Sequence, residues 1–434
     1  MLIAYTLLIG LLFVVVGPWL LIAVFLTGRH RPLIHERLGW YPSLPVKEEG
    51  RVRFWLHGAS VGEVKAAVVL IDQLRRLVPG AEFVVTTMTV TGRNVARELL
   101  GKDVRCLLTP LDVPLIVHRV VGAIDPDGYV CLETELWPVL LHTLTRRGIP
   151  LFLANGRMSA SSCRGYGRVK WFFSRVINLF THMAFITERD RERYLRLGGD
   201  PAKMSVEGNV KYDLPATTGL DDVRNRHLAT LQLAENQEIL IGGSTHKGEE
   251  EMLVTLRQQL IDEHDLLLIL APRHIERLAE IEAMLNRRGE TFHRFSELVS
   301  GAPRTRPIIL LDSLGELSQL YSIGTYIFCG GSLVEYGGHN VMEAAAWQKP
   351  VFYGPHMADF RDAVDLLQSA DAGFLVSGIQ EMKQKIRFFR THPHAYQQAC
   401  ESAGTVAAAQ QGSAKRQAGV IIQKKSMGIH RLGD

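Results

Sequence analysis

The sequence predicts an α/β protein with two Rossmann-like doubly wound domains facing across a cleft, preceded by one N-terminal transmembrane helix. Three observations predict it. The chain has 434 residues, more than one compact core ordinarily holds. Apolar strand-like runs bounded by turn residues alternate with helical stretches, stop, and then start again. The first 26 residues carry no charged side chain.

The apolar run comes first. Met1 to Leu26 is rich in Leu, Ile, Val and Phe, and about 25 residues rising about 1.5 Å each cross a hydrocarbon layer of about 30 Å. Nothing basic precedes the run and no small-x-small cleavage site follows it, so it reads as a retained anchor over 1–27 rather than a signal peptide. Pro18 kinks such a helix without forbidding it. The flank after it, Arg29, His30, Arg31 and Arg37, places the body on the cytoplasmic face of the membrane by the positive-inside rule.

The first domain spans 28–212. Its expected strands are Val52–His57, Phe83–Thr87, Cys106–Leu108, Gly128–Leu132 and Pro150–Ala154. Around Asp213–Gln237 the pattern pauses, with Pro215, two Thr, Gly219 and a polar stretch, which reads as an interdomain connection. The second domain, 238–434, restarts with Glu238–Gly242, Leu266–Ala271, Ile308–Asp312, Thr325–Cys329 and Pro350–Tyr353. From Gly378 onward the chain reads as helical, then basic and rich in small residues.

Composition narrows the function classes. Five scattered cysteines, with no CxxC pair and no His/Cys cluster, suggest neither a disulfide framework nor a zinc site. Between Gly28 and Pro215 there are 27 Lys/Arg against 19 Asp/Glu, leaving 22 against 26 elsewhere. A mildly basic first half beside an anchor suits anionic headgroups or an anionic acceptor, whereas nucleic acid asks for a denser basic patch.

The sharp motifs fall at strand ends, where open α/β sheets bind ligands. His57-Gly58-Ala59-Ser60-Val61-Gly62-Glu63 places Glu63 in a first helical turn, either as an exposed general base or as a helix cap. Glu133-Thr134-Glu135-Leu136-Trp137-Pro138 and Asn155-Gly156-Arg157 bring carboxylates and a guanidinium to the same edge, as anion ligands or as partners of one another. Arg164–Phe180 interleaves Arg164, Arg168, Lys170 and Arg175 with Trp171, Phe172, Phe173 and Phe180. That pattern suits a membrane interface or a core helix with snorkelling cations.

In the second half, Gly242-Gly243-Ser244-Thr245-His246-Lys247-Gly248-Glu249-Glu250 reads as a phosphate cradle at a helix start, though it is neither a Walker loop nor GxGxxG. Ala271-Pro272-Arg273-His274 offers a guanidinium, and Leu314-Gly315-Glu316-Leu317 opens a helix. Gly330-Gly331-Ser332-Leu333-Val334-Glu335-Tyr336-Gly337-Gly338-His339-Asn340-Val341-Met342-Glu343 carries four glycines for close backbone approach to a phosphate. There Glu343 is placed to hold ribose hydroxyls. Gly354-Pro355-His356-Met357-Ala358-Asp359-Phe360 adds a further loop to the same rim.

Taken in order, HGASVGE, ETELWP, NGR, GNVKYD (Gly208–Asp213), GGSTHKGEE, APRH, GGSLVEYGGHNVME and GPHMADF resemble the 3-deoxy-D-manno-octulosonic acid (Kdo) transferases of lipopolysaccharide biosynthesis, glycosyltransferase family 30, essentially end to end. The resemblance implies a GT-B enzyme that moves Kdo, with inversion, from CMP-Kdo to the tetraacylated lipid A precursor, lipid IVA. It implies Glu63 as proton acceptor. CMP contacts are implied for Pro272, Arg273, Leu314, Gly315, Glu316, Asn340, Val341, Met342 and Glu343. Ser60, Arg157, Lys211, Ser244, His274, Gly338 and His339 are further candidates for donor or acceptor contact. CMP carries one phosphate and no DxD pair sits at a strand end, so no metal or other cofactor is expected. The rival readings are a GT-B enzyme using a UDP-sugar, of N-acetylglucosaminyltransferase or 2-epimerase type, and a non-catalytic anchored scaffold.

Overall fold

The computed structural model describes residues 5, 31–41, 46–213, 220–234, 237–261 and 265–430. They form two compact units, one drawn from 1–213 and 412–434, the other from 214–411. Apart from Tyr5, the apolar N-terminal run lies outside the described residues. Among the described residues no helix is long and apolar enough to cross a membrane.

In the first unit seven parallel strands lie in the order β3-β2-β1-β4-β5-β6-β7. They are β1 (Arg53–His57), β2 (Glu82–Thr87), β3 (Arg105–Leu108), β4 (Gly128–Leu132), β5 (Leu151–Gly156), β6 (His182–Phe185) and β7 (Met204–Val206). Side chains alternate across a strand, and the core shows it. Trp55, Val84, Tyr129, Cys131, Leu151 and Leu153 enter one buried cluster, while Phe54, Leu56, Val85, Val130, Phe152 and Ala154 enter another on the opposite face. A sheet buried on both faces explains why the strands read as continuous apolar runs rather than alternating ones.

The second unit repeats the plan in the order β10-β11-β9-β8-β12-β13-β14, again all parallel. Its strands are β8 (Glu238–Thr245), β9 (Leu266–Pro272), β10 (Phe292–Arg294), β11 (Ile308–Leu310), β12 (Tyr326–Cys329), β13 (Val351–Tyr353) and β14 (Gly373–Leu375). All ten strands expected from sequence form, with no end shifted by more than three residues and Gly128–Leu132 matching at both ends. The four not expected, β6, β7, β10 and β14, are three or four residues long. Three of them are sheet edges and β6 lies next to one.

The order decides where ligands go. From β1 the chain builds outward through β2 and β3, then returns to place β4 on the other side of β1. The crevice past the ends of β1 and β4 is therefore a topological switch point, and β8 with β12 forms the same arrangement in the second unit. The motifs HGASVGE, ETELWP, GGSTHKGEE and GGSLVEYGGHNVME follow these four strands.

Two boundaries differ from the sequence reading. The segment 213–237 is not wholly a connection: the helix Leu220–Thr230 belongs to the second unit, where Leu228 and Leu231 are buried. The last helix, Ser413–His430, returns to the first unit rather than completing the second. Its Ala414, Ala418 and Ile421 join the cluster around Val64, Ala67 and Ile71 of the helix Val61–Leu77. Asp213 caps its start, accepting from the amides of Ser413 at 3.1 Å and Ala414 at 2.6 Å. The small residues of this C-terminal stretch are what lets two helices approach closely.

Gln417, fully buried, makes this return specific. Its Oε1 accepts from the Asn155 amide at 2.8 Å and its Nε2 donates to the Gly208 carbonyl at 2.9 Å. Gln417→Ala leaves both groups without a partner, so denaturant unfolding of the full chain should show a loss of about 1–3 kcal/mol. An unchanged midpoint and slope contradicts this account of the C-terminal helix.

Candidate functional site

In the first unit β1 runs straight into the turn Gly58–Ser60 and the helix Val61–Leu77. Ser60 caps that helix, its hydroxyl accepting from the Glu63 amide at 3.3 Å. The Glu63 carboxylate folds back in return, Oε1 accepting from Ser60 Oγ at 2.9 Å and Oε2 from the Ala59 amide at 2.7 Å. This is a variant of the S-x-x-E capping box, with the Glu side chain reaching the amide one residue before the cap and the cap's hydroxyl.

The sequence reading had this carboxylate exposed; the structure buries it, leaving Glu63 7 % exposed. Burial raises its pKa above the ordinary 4.5, the Glu133 charge raises it further, the two hydrogen bonds pull it down and Glu135 adds a smaller upward push. A carboxyl held above its usual range, at a switch point, is placed to take a proton at neutral pH. The cap and base readings of Glu63 are therefore compatible, since the cap fixes where the base points.

Glu133 follows β4 with φ +61°, a left-handed backbone that costs a non-glycine residue roughly 1–3 kcal/mol and collects at functional strand ends. Its carboxylate lies between two cations, Lys211, which donates to Oε1, and Arg157, whose Nε is 3.4 Å from Oε2. Lys211 also flanks the Gly62 turn, where an added Cβ would meet Nζ at 3.4 Å. Glu133, Arg157 and Lys211 thus form a cluster of alternating charges, with Lys211 against the turn that carries Glu63 and the Glu133 charge acting on it.

Behind them His57 is fully buried. Its Nδ1 lies 3.1 Å from both Thr86 Oγ1 and Thr109 Oγ1, and its Nε2, without a hydrogen bond, faces Glu135 Oε2 at 4.0 Å. Burial pushes its pKa down to about 4, so it is a neutral ring at working pH. Asn155, with φ +53°, turns its Oδ1 inward to accept from the Val210 amide at 2.9 Å and so positions the segment carrying Lys211. The Arg164–Phe180 stretch breaks into helices Ala160–Gly167 and Lys170–Ile177. Phe180 is core, Phe172 and Phe173 pack against it, and Trp171 is 63 % exposed.

In the second unit the glycine loop after β12 is held by a residue outside it. Glu249, fully buried, accepts from four amides: His246 at 2.9 Å, Gly331 at 2.7 Å, and Ser332 and Leu333 at 3.0 Å each. Gly330 presses on the end of β8, where a Cβ would meet the Ser244 carbonyl oxygen at 2.4 Å, and Ser244 itself has φ +54°. Gly338 has φ +76° and closes the loop by donating to the Gly331 carbonyl at 2.9 Å.

The helices that follow the Leu314–Leu317 and Gly330–Glu343 motifs are short. Leu317–Leu320 and Met342–Ala345 are four residues each, with little macrodipole to offer. Asn340 accepts from the Met342 amide at 3.1 Å and donates to Glu343 Oε1 at 3.3 Å. Ahead of the first of them, Leu314 is exposed and Gly315 has φ +91°. The helix Glu249–Gln258 is longer, but its first turn is already filled by Glu249, Glu250 and Glu251.

The side chains that line this rim are Arg273, exposed after β9, and a set of imidazoles, His246, His274 and His339. His246 lies inside the GGSTHKGEE motif without having been singled out there; its signal was a side chain two residues before a glycine at a strand end. Among the described residues no cluster of three or more His, Cys, Asp or Glu is arranged to hold a metal.

Two Rossmann-like units, each with its loops at the switch point of a parallel sheet, define a GT-B-like architecture. The solved MurG of Acinetobacter baumannii shares it, with a TM-score of 0.55 at 15 % identity, over 86 % of this chain and 99 % of that one. A family model described as 3-deoxy-D-manno-octulosonic-acid transferase matches residues 33–214. The chain is 35 % identical to the 3-deoxy-D-manno-octulosonic acid transferase of Haemophilus influenzae over 78 % of each protein. It is 31 % identical to that of Chlamydophila psittaci over 88 % of this chain and 87 % of the relative. This protein belongs to the 3-deoxy-D-manno-octulosonic acid transferase family and is a glycosyltransferase.

The arrangement around Glu63 makes a pH prediction. Glu133→Gln removes a like charge that raises the Glu63 pKa and frees Lys211, whose charge lowers it; both favour ionised Glu63. The acid limb of the kcat/KM profile should move to lower pH, and a limb that stays in place rules out coupling between the two carboxyls.

Proposed function

We propose that this chain transfers Kdo from CMP-Kdo to lipid IVA with inversion at the anomeric carbon, adding one or two Kdo units in lipopolysaccharide core biosynthesis. The observation that carries the chemistry is Glu63, a carboxyl of raised pKa fixed at the switch point of the first unit. The names of the relatives supply the sugar.

In this reading Glu63 takes the proton from the acceptor's primary hydroxyl as that oxygen attacks the anomeric carbon. The bond to the CMP phosphate breaks and its electrons leave with CMP. Arg157, Lys211 and Ser60 line the acceptor side. On the donor side are Pro272, Arg273, His274, Ser244, the segment Leu314–Glu316, Gly338, His339 and the segment Asn340–Glu343. Arg273 and loop amides offset charge on the departing phosphate, so no metal enters the mechanism.

The uncharged Met1–Leu26 run anchors the chain in the bacterial inner membrane with the catalytic units on the cytoplasmic face. That places the enzyme where a lipid-linked acceptor lies. Tyr5 touches the first unit, its ring centroid 5.6 Å from that of Phe172 and its hydroxyl 3.3 Å from Asp112 Oδ2. Tyr5 and the aromatic Lys170–Ile177 helix therefore share one side of that unit. Nucleic acid has no part in the reading.

The test is incubation of the full chain in detergent with lipid IVA and freshly generated CMP-Kdo, with products weighed by mass spectrometry. Gain of one or two Kdo masses, undiminished by a chelator, is expected. Product from a UDP-sugar instead contradicts the donor, and loss of activity with chelator contradicts the metal-free mechanism.

A further inference from the structure

His246 and His339 meet edge to edge, Nε2 to Nε2 at 3.0 Å, with ring planes 8° apart. Such a contact holds one proton: one nitrogen donates and the other accepts. In the neutral pair the donating ring has a bare Nδ1. A second proton can enter there without breaking the Nε2 contact, and it makes the pair a single cation with a charge-assisted internal hydrogen bond. The geometry is thus built to gain one positive charge while keeping its shape.

The fold holds the pair in place from three sides. His246 leaves β8 and is 6 % exposed, His339 closes the loop after β12, and Tyr336 covers His246 with ring centroids 4.1 Å apart. Gly331, at φ +65°, lies beneath both rings; a Cβ there would stand 3.2 Å from each.

The groups facing the pair are unbalanced in charge. Arg273, His274 and Arg277 come from the segment after β9, and Glu250 from the helix Glu249–Gln258. Cys329 sits behind, its Sγ 3.3 Å from the His339 carbonyl. Glu250 is engaged by Arg277 through both guanidinium nitrogens, at 2.7 and 3.2 Å, and Glu249 is saturated by its four amides. Among the described residues Arg273 has no carboxylate within ion-pair distance.

We propose that His246 and His339 form a proton-linked anion seat, which takes up one proton as an oxyanion of the sugar nucleotide settles against the pair and Arg273. The proposal rests on the donor reading above and adds to it a pair of recognition residues and a proton. Without the anion, burial and the neighbouring cations hold His246 below the ordinary 6.5 and His339 down to about 4. The seat is then neutral at physiological pH. An anion raises both, so affinity is greatest at low pH and falls as pH rises toward the pKa of the occupied seat, above which it levels off. The oxyanion is either the nucleotide phosphate or the sugar carboxylate.

The experiment is calorimetric titration of the full chain with CMP, and separately with free Kdo, at about pH 6.5 in two buffers of different ionisation enthalpy. Uptake of about one proton per bound ligand is expected with whichever probe carries the seated oxyanion, which assigns phosphate or carboxylate. In His246→Asn and His339→Asn, with unchanged melting curves, that uptake should vanish and affinity fall about tenfold. CMP binding with a buffer-independent enthalpy, together with no proton uptake from Kdo, overturns the seat and leaves the donor reading standing. Proton uptake that survives both substitutions also overturns the seat. A wild-type chain that binds neither probe at any pH removes the donor reading and the seat with it.

Discussion

The site of the second unit depends on one buried carboxylate. Glu249 accepts from four amides that belong to two separate loops, which saturates the four lone-pair positions of an ionised carboxylate. Each of those amides, buried without a partner, would cost about 1–3 kcal/mol. The backbone of Gly331, Ser332 and Leu333 therefore has one low-energy path, and everything the loop presents, from Tyr336 to His339, is placed by it. The glycines make the path sterically open, and the carboxylate selects it.

The first unit uses the same device at the same topological position and stops halfway. Glu63 follows the central strand β1 as Glu249 follows the central strand β8, each directly after a glycine, and each carboxylate bends back over its own turn. Glu63 receives two hydrogen bonds where Glu249 receives four. Beyond the Ala59 amide its carboxylate accepts from no other amide among the described residues, and the neighbouring charge that acts on it most is Glu133. Burial raises the pKa of both carboxyls, but the one whose lone pairs are all engaged by amides organises a loop, while the one with open lone pairs retains room to accept a proton from a substrate. This difference in hydrogen-bond count is the physical basis on which the proposed function puts the proton transfer in the first unit and the donor in the second.

Much of this was legible in the sequence, because parallel strands buried on both faces read as apolar runs and because ligand loops follow strand ends. Phe54-Trp55-Leu56 announces β1, and the glycines of GGSLVEYGG announce the loop after β12. What stayed hidden was set by distant partners. The short strand Gly373–Leu375 exists only because β13 offers an edge, and the fate of Ala414, Ala418 and Ile421 depends on a helix more than 300 residues earlier. The burial of Glu63 and the meeting of His246 with His339, 93 positions apart, are likewise facts of tertiary packing. Sequence spacing places such residues at an edge and says nothing of which touch.

The division of labour between the units is tested most directly by the two binding and rate constants of Glu63→Gln, measured side by side with the wild type. Glutamine keeps the size and can keep the hydrogen bond from Ala59 while losing the basic oxygen. The account predicts CMP affinity within about twofold of wild type and a kcat lower by about 10²–10⁴-fold. Turnover close to wild type would contradict the assignment of Glu63 as the base, and a parallel loss of CMP affinity would contradict the separation of chemistry from donor binding.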